Sequence, residues 1–140
     1  PCLRELKRGR HIGILIDQDA RRDGVFVDFM GRPSSVHTSV ARLSMATGSP
    51  AAFVYAVCEG EPPEVHMHLS DVIWPRAGGE RETEIFRITQ RLVRNAEQLI
   101  RDHPERWMWT QKQWKTYPGK FTEGERPMPG VLKRDGREGV

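Results

Sequence analysis

Long hydrophobic runs are missing from this 140-residue sequence, and so is any cysteine framework. No stretch approaches the roughly 18 consecutive apolar residues that cross a bilayer, and no signal-peptide pattern opens the chain. A membrane-spanning helix within these residues is thereby excluded. The two cysteines, Cys2 and Cys58, make neither a disulfide network nor a metal motif and read as reduced thiols. There is no initiator Met and no internal repeat. Neither sign of charge dominates: 22 Lys and Arg stand against 19 Asp and Glu, a net +3. That balance favours an acidic partner without choosing among nucleic acid, anionic lipid and acidic protein.

What is present suits one ordinary globular domain, since 37% hydrophobic and 29% charged residues are enough to build and solvate a core. The first residues read as a helix end. Leu3 and Leu6 are spaced i,i+3, Lys7 and Arg8 lie in the last turn, and Gly9 takes the position after the cap. With almost no helix before it, the chain is expected to be truncated at its N-terminus, inside an element.

His11–Ile16 is an apolar, β-branched run ending at Asp17, as a buried strand of a parallel or mixed sheet does. Residues 18–33 are expected to form a long loop interrupted by an extended Val25–Phe29. Ser34 or Ser35 is expected to cap a helix reaching Thr47, with Val36, Val40, Leu43 and Thr47 on one face. Ala51–Val57 reads as a second strand. Residues 59–63 form a turn, and Val65–Leu69 alternates like an antiparallel strand. After Gly78 and Gly79, Ile85, Ile88, Leu92, Ala96 and Leu99 mark an amphipathic helix that stops near Asp102, before His103 and Pro104. The order β, loop, α, β, β, α fits part of an α/β sandwich. Residues 1–118 are read as the domain. Gly, Pro and charge dominate from 119 to 140, which is expected to be a mobile tail.

Three groups of residues can carry chemistry. Asp17 and Asp19 flank Gln18 where a strand gives way to a loop, the edge at which open α/β sheets bind ligands. Such a pair can hold a metal, bind basic or hydroxyl groups, or order the loop through backbone N–H groups. It also resembles the nucleophile motif of haloacid-dehalogenase-type phosphatases, but Arg21 stands where that family expects Thr or Val. His66 and Asp71 are five apart on or just past an alternating strand, so their side chains point to opposite faces and do not form a dyad. His66 and His68 share a face, yet two histidines make a poor zinc site. Trp107, Met108, Trp109, Trp114 and Tyr117 interleave with Arg106, Lys112 and Lys115 and no acid. That composition suits a membrane interface, stacking on nucleic-acid bases, or plain core packing.

Taken together, the segments resemble one family. Asp17-Gln-Asp19, Gly24 to Pro33, Thr38 to Leu43 and Thr47 to Pro50, followed by Pro104-Glu105-Arg-Trp107-Met-Trp109 and Trp114-Lys115, look like the bacterial lipid A late acyltransferases. The likeness runs from about Leu3 to Pro118. It implies a partial glycerolipid-acyltransferase αβ sandwich at the cytoplasmic face of the bacterial inner membrane. It implies acyl transfer from acyl-carrier protein to a hydroxyl of an anionic glycolipid, with no cofactor and no metal. Related enzymes acylate phosphatidylinositol mannosides. The family's catalytic base belongs to a His-x4-Glu or His-x4-Asp dyad upstream of the Asp-x-Asp strand, and no residue here matches it, so this chain alone is expected to be inactive. The resemblance implies that Asp17, Asp19 and Arg32 position the acceptor or shape its pocket, while Gly31 and Pro33 set the turn. Trp107, Trp109, Lys112, Trp114 and Lys115 are the expected membrane or lipid contacts, with nucleic acid excluded as a partner.

Overall fold

A computed structural model of the chain describes residues 2–117. The expected tail, 119–140, lies outside the described residues. The elements are α1 (Cys2–Lys7), β1 (Gly24–Phe29), β2 (Arg32–His37), α2 (Ser39–Thr47), β3 (Val54–Glu59), β4 (Glu64–Leu69) and α3 (Arg81–Asp102), with short 3-10 turns at Arg21–Asp23 and Pro104–Arg106. The α/β class agrees with the sequence. The expected mixed sheet does not: β1 pairs antiparallel with β2, β3 pairs antiparallel with β4, and the two ladders are separate among the described residues.

The α3 helix is the spine, and it buries two sides rather than one. Ile85, Ile88 and Leu92 pack with Ala41, Ala51 and Ile73. Val93 and Ile100, seven residues apart, pack with Val25, Val27, Phe29 and Val36, with Phe86 alongside. A seven-residue step is close to two helical turns, so Phe86, Val93 and Ile100 form a second row beside the expected one. Ile16 touches both clusters and joins them. Leu99, expected on the apolar face, is only half-buried because it borders a cavity.

The β1–β2 hairpin turns at Met30 and Gly31, whose φ values are 53° and +76°. Two consecutive left-handed residues make the two-residue turn that matches strand twist. Gly31 is therefore a turn residue as expected, whereas Pro33 is not: it sits in β2 opposite Asp28. Ser34 and Ser35 are not helix caps either, because pairing with Val27 and Phe26 draws them into β2 and buries them. Helix α2 starts only at Ser39 and ends as expected at Gly48, φ +73°, whose N–H donates to the Ser44 carbonyl. Gly24 admits no larger residue. A Cβ there would lie 2.5 Å from Ser35 Oγ and 2.7 Å from the Val36 carbonyl oxygen.

Gln90 ties helix to hairpin. Its Oε1 accepts the Asp28 N–H and its Nε2 donates to the Asp28 carbonyl, each at 2.8 Å. The Met30 N–H donates to Glu97. At the other end of α3, buried Glu84 accepts from the Arg76 N–H and from Arg87. The Arg87 hydrogen bonds lead the effects that lower its pKa below the carboxylate's ordinary value, against the opposing effect of burial. A carboxylate more acidic in the folded state stabilises it above the unfolded pKa and loses that contribution as pH falls through the folded one. Glu84→Gln is thus expected to flatten the fall in urea midpoint between pH 5 and pH 3. An unchanged acid limb would place that titration elsewhere.

The extended stretch His11–Ile16 overturns one expectation. It is not a buried strand: no ladder partner and no backbone hydrogen bond engages it among the described residues. Its exposure nevertheless alternates. Ile12, Ile14 and Ile16 are half-buried, while His11, Gly13 and Leu15 face out, Leu15 at 84% exposure. The run has the exposure pattern of a strand, with no helix, turn or bend in it, but lacks a neighbour among the described residues. The second expected strand is shifted: Ala51 makes an isolated bridge to Ile73, and the continuous ladder begins at Val54.

Candidate functional site

Asp17 ends the His11–Ile16 stretch and stands at the meeting of two cavities. The smaller, about 240 Å³, is lined by Asp17, Tyr55, Leu99, Arg106, Trp107 and Gln111, among others. The larger, about 1070 Å³, is a mostly apolar groove running along residues 9–17 to Ala51, Val54, Leu69 and Leu92. The Asp17 Oδ1 is buried and has no hydrogen-bond partner in the structure. A buried carboxylate oxygen without a donor is costly unless something supplies one. Arg106, in the same cavity, pairs instead with Glu59 at 3.0 Å.

Asp19 does different work. Its Oδ1 accepts the Arg21 N–H and its Oδ2 accepts the Thr116 N–H, both at 2.7 Å. The first bond holds Arg21 in its left-handed conformation, φ 53°, and the second fastens the 107–117 segment across the hairpin. Gln113 adds to that fastening by donating from Nε2 to Ser34 Oγ at 3.2 Å. The two acids of the motif thus part company: one orders backbone, the other faces a cavity. With both Asp19 oxygens engaged, the pair does not present two free carboxylates to a cation.

The five expected acceptor residues do not converge. Asp17 lines the cavities, whereas Gly31 at the hairpin turn and Arg32 and Pro33 at the start of β2 line neither cavity and are exposed. An aromatic row links the two places. The Arg32 guanidinium lies 4.9 Å from the Trp114 ring centre, Trp114 stacks on Phe29 at 5.4 Å, and Phe29 meets Trp107 at 5.9 Å. Trp107 and Trp114 are therefore half-buried packing elements. The exposed members of the segment are Met108 (64%), Trp109 and Tyr117 (58% each), with Lys112 and Lys115 beside them in sequence. The Trp109 indole N–H donates to the Pro104 carbonyl at 2.7 Å, leaving an apolar ring outward.

His66 and Asp71 form no dyad, in keeping with their spacing. Asp71 bonds Arg91 and Asn95, and the Arg91 contact leads the lowering of its pKa. His66 is 3.8 Å from Glu64, and His68 stacks on Tyr55 at 4.9 Å. Tyr55 and Gln111 were not legible as site residues. They meet Asp17 only where β3 and the 107–117 segment come together around the smaller cavity. Among the described residues no cluster of three His, Cys, Asp or Glu groups could hold a metal ion, and no helix is long and apolar enough to cross a membrane.

An α/β scaffold of this order, with an acid closing the 11–16 stretch and a Trp-rich strap, is compatible with part of an acyltransferase domain. The sequence profile of the family described as bacterial lipid A biosynthesis acyltransferase matches residues 1–116, and the chain belongs to that family. It is similar to the phosphatidylinositol mannoside acyltransferases of Mycobacterium tuberculosis strains CDC 1551/Oshkosh and ATCC 25618/H37Rv. Each is 29% identical over 109 residues, covering 78% of this chain and 32% of the relative. The chain thus spans about a third of the length of the curated relatives it matches.

Proposed function

We propose that this chain forms the acceptor side of an enzyme that moves a fatty acyl group from acyl-carrier protein to a glycolipid hydroxyl, as in lipid A assembly. The observation that carries the reading is Asp17, whose Oδ1 is buried without a donor and which lines a cavity together with Trp107, Tyr55, Arg106 and Gln111. Rings to stack on a sugar face and a carboxylate to accept its hydroxyl are what such an acceptor requires. Asp17 is a positioning group: it orients the acceptor while a separate base takes the proton from the attacking hydroxyl. The oxygen then forms the ester bond as the thioester C–S bond breaks and the thiolate leaves. His66 and Asp71 do not supply that base together, since Asp71 is bonded to Arg91 and Asn95 and His66 lies 3.8 Å from Glu64. The 140-residue chain is expected to show no transfer by itself. Turnover abolished by His66→Ala would overturn this.

In a complete acyltransferase carrying this segment, Asp17→Asn is expected to raise the acceptor KM about 10- to 100-fold, the scale of one hydrogen bond to a charged group. The donor KM should hold. Equal effects on both substrates, or none, would remove Asp17 from the acceptor site. Arg32, stacked on Trp114 with its planar fork exposed, is placed for an acceptor phosphate at the outer end of the aromatic row. The names of the Mycobacterium relatives favour a second acceptor, a phosphatidylinositol mannoside, which offers the same sugar hydroxyl chemistry. Parallel assays with the two acceptors decide between them.

The exposed Met108 and Trp109, with Lys112 and Lys115, form the surface we assign to the cytoplasmic face of the inner membrane. Each nearby cation adds about 1 kcal/mol of attraction to an anionic bilayer. Binding to anionic vesicles should exceed binding to neutral ones and weaken with salt. The double variant Met108→Ala/Trp109→Ala should weaken it without unfolding the chain. Identical binding to both vesicle types would leave these residues without a lipid role.

A further inference from the structure

We infer that the smaller cavity takes an uncharged sugar ring and turns a phosphate away, and that Arg106, held by Glu59, sets this choice. The inference rests on the acyl-acceptor reading and narrows it to one class of acceptor group. Among the described residues lining that cavity, only Asp17 and Arg106 carry charge. An arginine in a pocket suits a phosphate, because its planar fork binds two oxygens at once. Here the fork is already engaged. Arg106 Nη2 donates to Glu59 at 3.0 Å and Nε donates to Glu105 at 3.3 Å. Only Nη1 is left without a partner among the described residues.

Charge decides what the cavity accepts. Two carboxylates already oppose the single guanidinium, and Asp17 adds a third whose Oδ1 has no donor. His103, 3.5 Å from Glu105, adds a positive charge only when protonated. The Arg106 side chain is 28% exposed, against 57% for Glu59 and 64% for Glu105, so the acids hold it from the solvent side. A phosphate would be a fourth anion sharing one cation, where water screens less than at the surface. Nor is Glu59 easily displaced. It stands directly opposite Glu64 in the β3–β4 ladder, and without Arg106 the two like charges would face each other. A neutral sugar meets no such repulsion. One of its hydroxyls can donate to Asp17 Oδ1 and another can accept from Arg106 Nη1. The Trp107 and Tyr55 rings suit the C–H face of a pyranose, and Tyr55 is itself stacked on His68 at 4.9 Å. Any phosphate of the acceptor then stays outside the cavity, where Arg32 lies on the hairpin.

Titrating the 140-residue chain with methyl α-mannopyranoside and with its 6-phosphate, read at the Trp107 indole N–H resonance, tests the idea. The neutral sugar is expected to shift that resonance, and the 6-phosphate to bind about tenfold more weakly. Glu59→Gln takes a carboxylate from the guanidinium, so the preference for the neutral sugar should largely disappear. A merely structural Glu59 would not move that ratio. Arg106→Gln should weaken the neutral sugar about tenfold, the scale of one hydrogen bond to a charged group. If Arg106→Gln loosens the strap, as circular dichroism would show, the Glu59→Gln ratio still reads the claim on an intact cavity. Equal or tighter binding of the 6-phosphate would overturn the inference and leave the acceptor reading standing. So would a preference that Glu59→Gln leaves untouched. No shift at Trp107 with either sugar would take the acceptor site out of this cavity and overturn both.

Discussion

Ile88→Ala is expected to lower the folding stability by about 2–5 kcal/mol, the range for emptying a closed aliphatic site. Ile88 has no solvent exposure and stands at the centre of the cluster formed with Ala41, Ala51, Ile73, Ile85 and Leu92. Two of those neighbours are alanines and cannot lean in to fill the space, which places the cost in the upper half of the range. Leu15→Ala is the control. With 84% of Leu15 exposed, it should change the monomer's stability by a few tenths of a kcal/mol at most. Urea titrations of the two variants at low protein concentration read both values. Equal losses would mean that the two-sided packing of α3 is not what holds the chain together.

Asp19→Ala is expected to be nearly as severe, about 3 kcal/mol, though it removes no apolar contact. The change strips acceptors from two backbone N–H groups, those of Arg21 and Thr116, each bonded at 2.7 Å to a charged oxygen. One bond holds a left-handed arginine and the other pins the strap bearing Trp107 and Trp114. Loss of the second frees the strap, so the tryptophan emission should shift to the red before global unfolding. Asp19→Asn keeps one acceptor oxygen and should recover part of both effects. Asp17→Asn, by contrast, removes no donor's partner and should leave stability nearly unchanged. If Asp17→Asn were the more destabilising of the two, the division of labour between these acids would be reversed.

That division was not legible in the motif, where both residues carry the same group two positions apart. Their distinction comes from residues distant in sequence, with Thr116 reaching Asp19 and Tyr55, Leu99 and Trp107 enclosing Asp17. Val93 and Ile100 were missed for a related reason. The first apolar row of α3 accounts for a one-sided helix, and a second row signals burial only once β1 packs there. The start of α2 was misplaced because Ser34 and Ser35 suit a cap as well as a strand. Pairing with β1 outweighed the local preference.

The sequence by itself determined what depends on neighbours along the chain. The 3.6-residue period set α3, the Gly48 stop closed α2, alternation marked β4, and the order of motifs carried the family. Tertiary structure decided what depends on partners far apart: two antiparallel ladders in place of one mixed sheet, two of the tryptophans turned inward, and Arg32 set away from Asp17. It also decided the state of His11–Ile16. Its apolar pattern specifies an extended strand, but a strand's hydrogen bonds come from a neighbour, and no local pattern of residues reveals whether that neighbour is present.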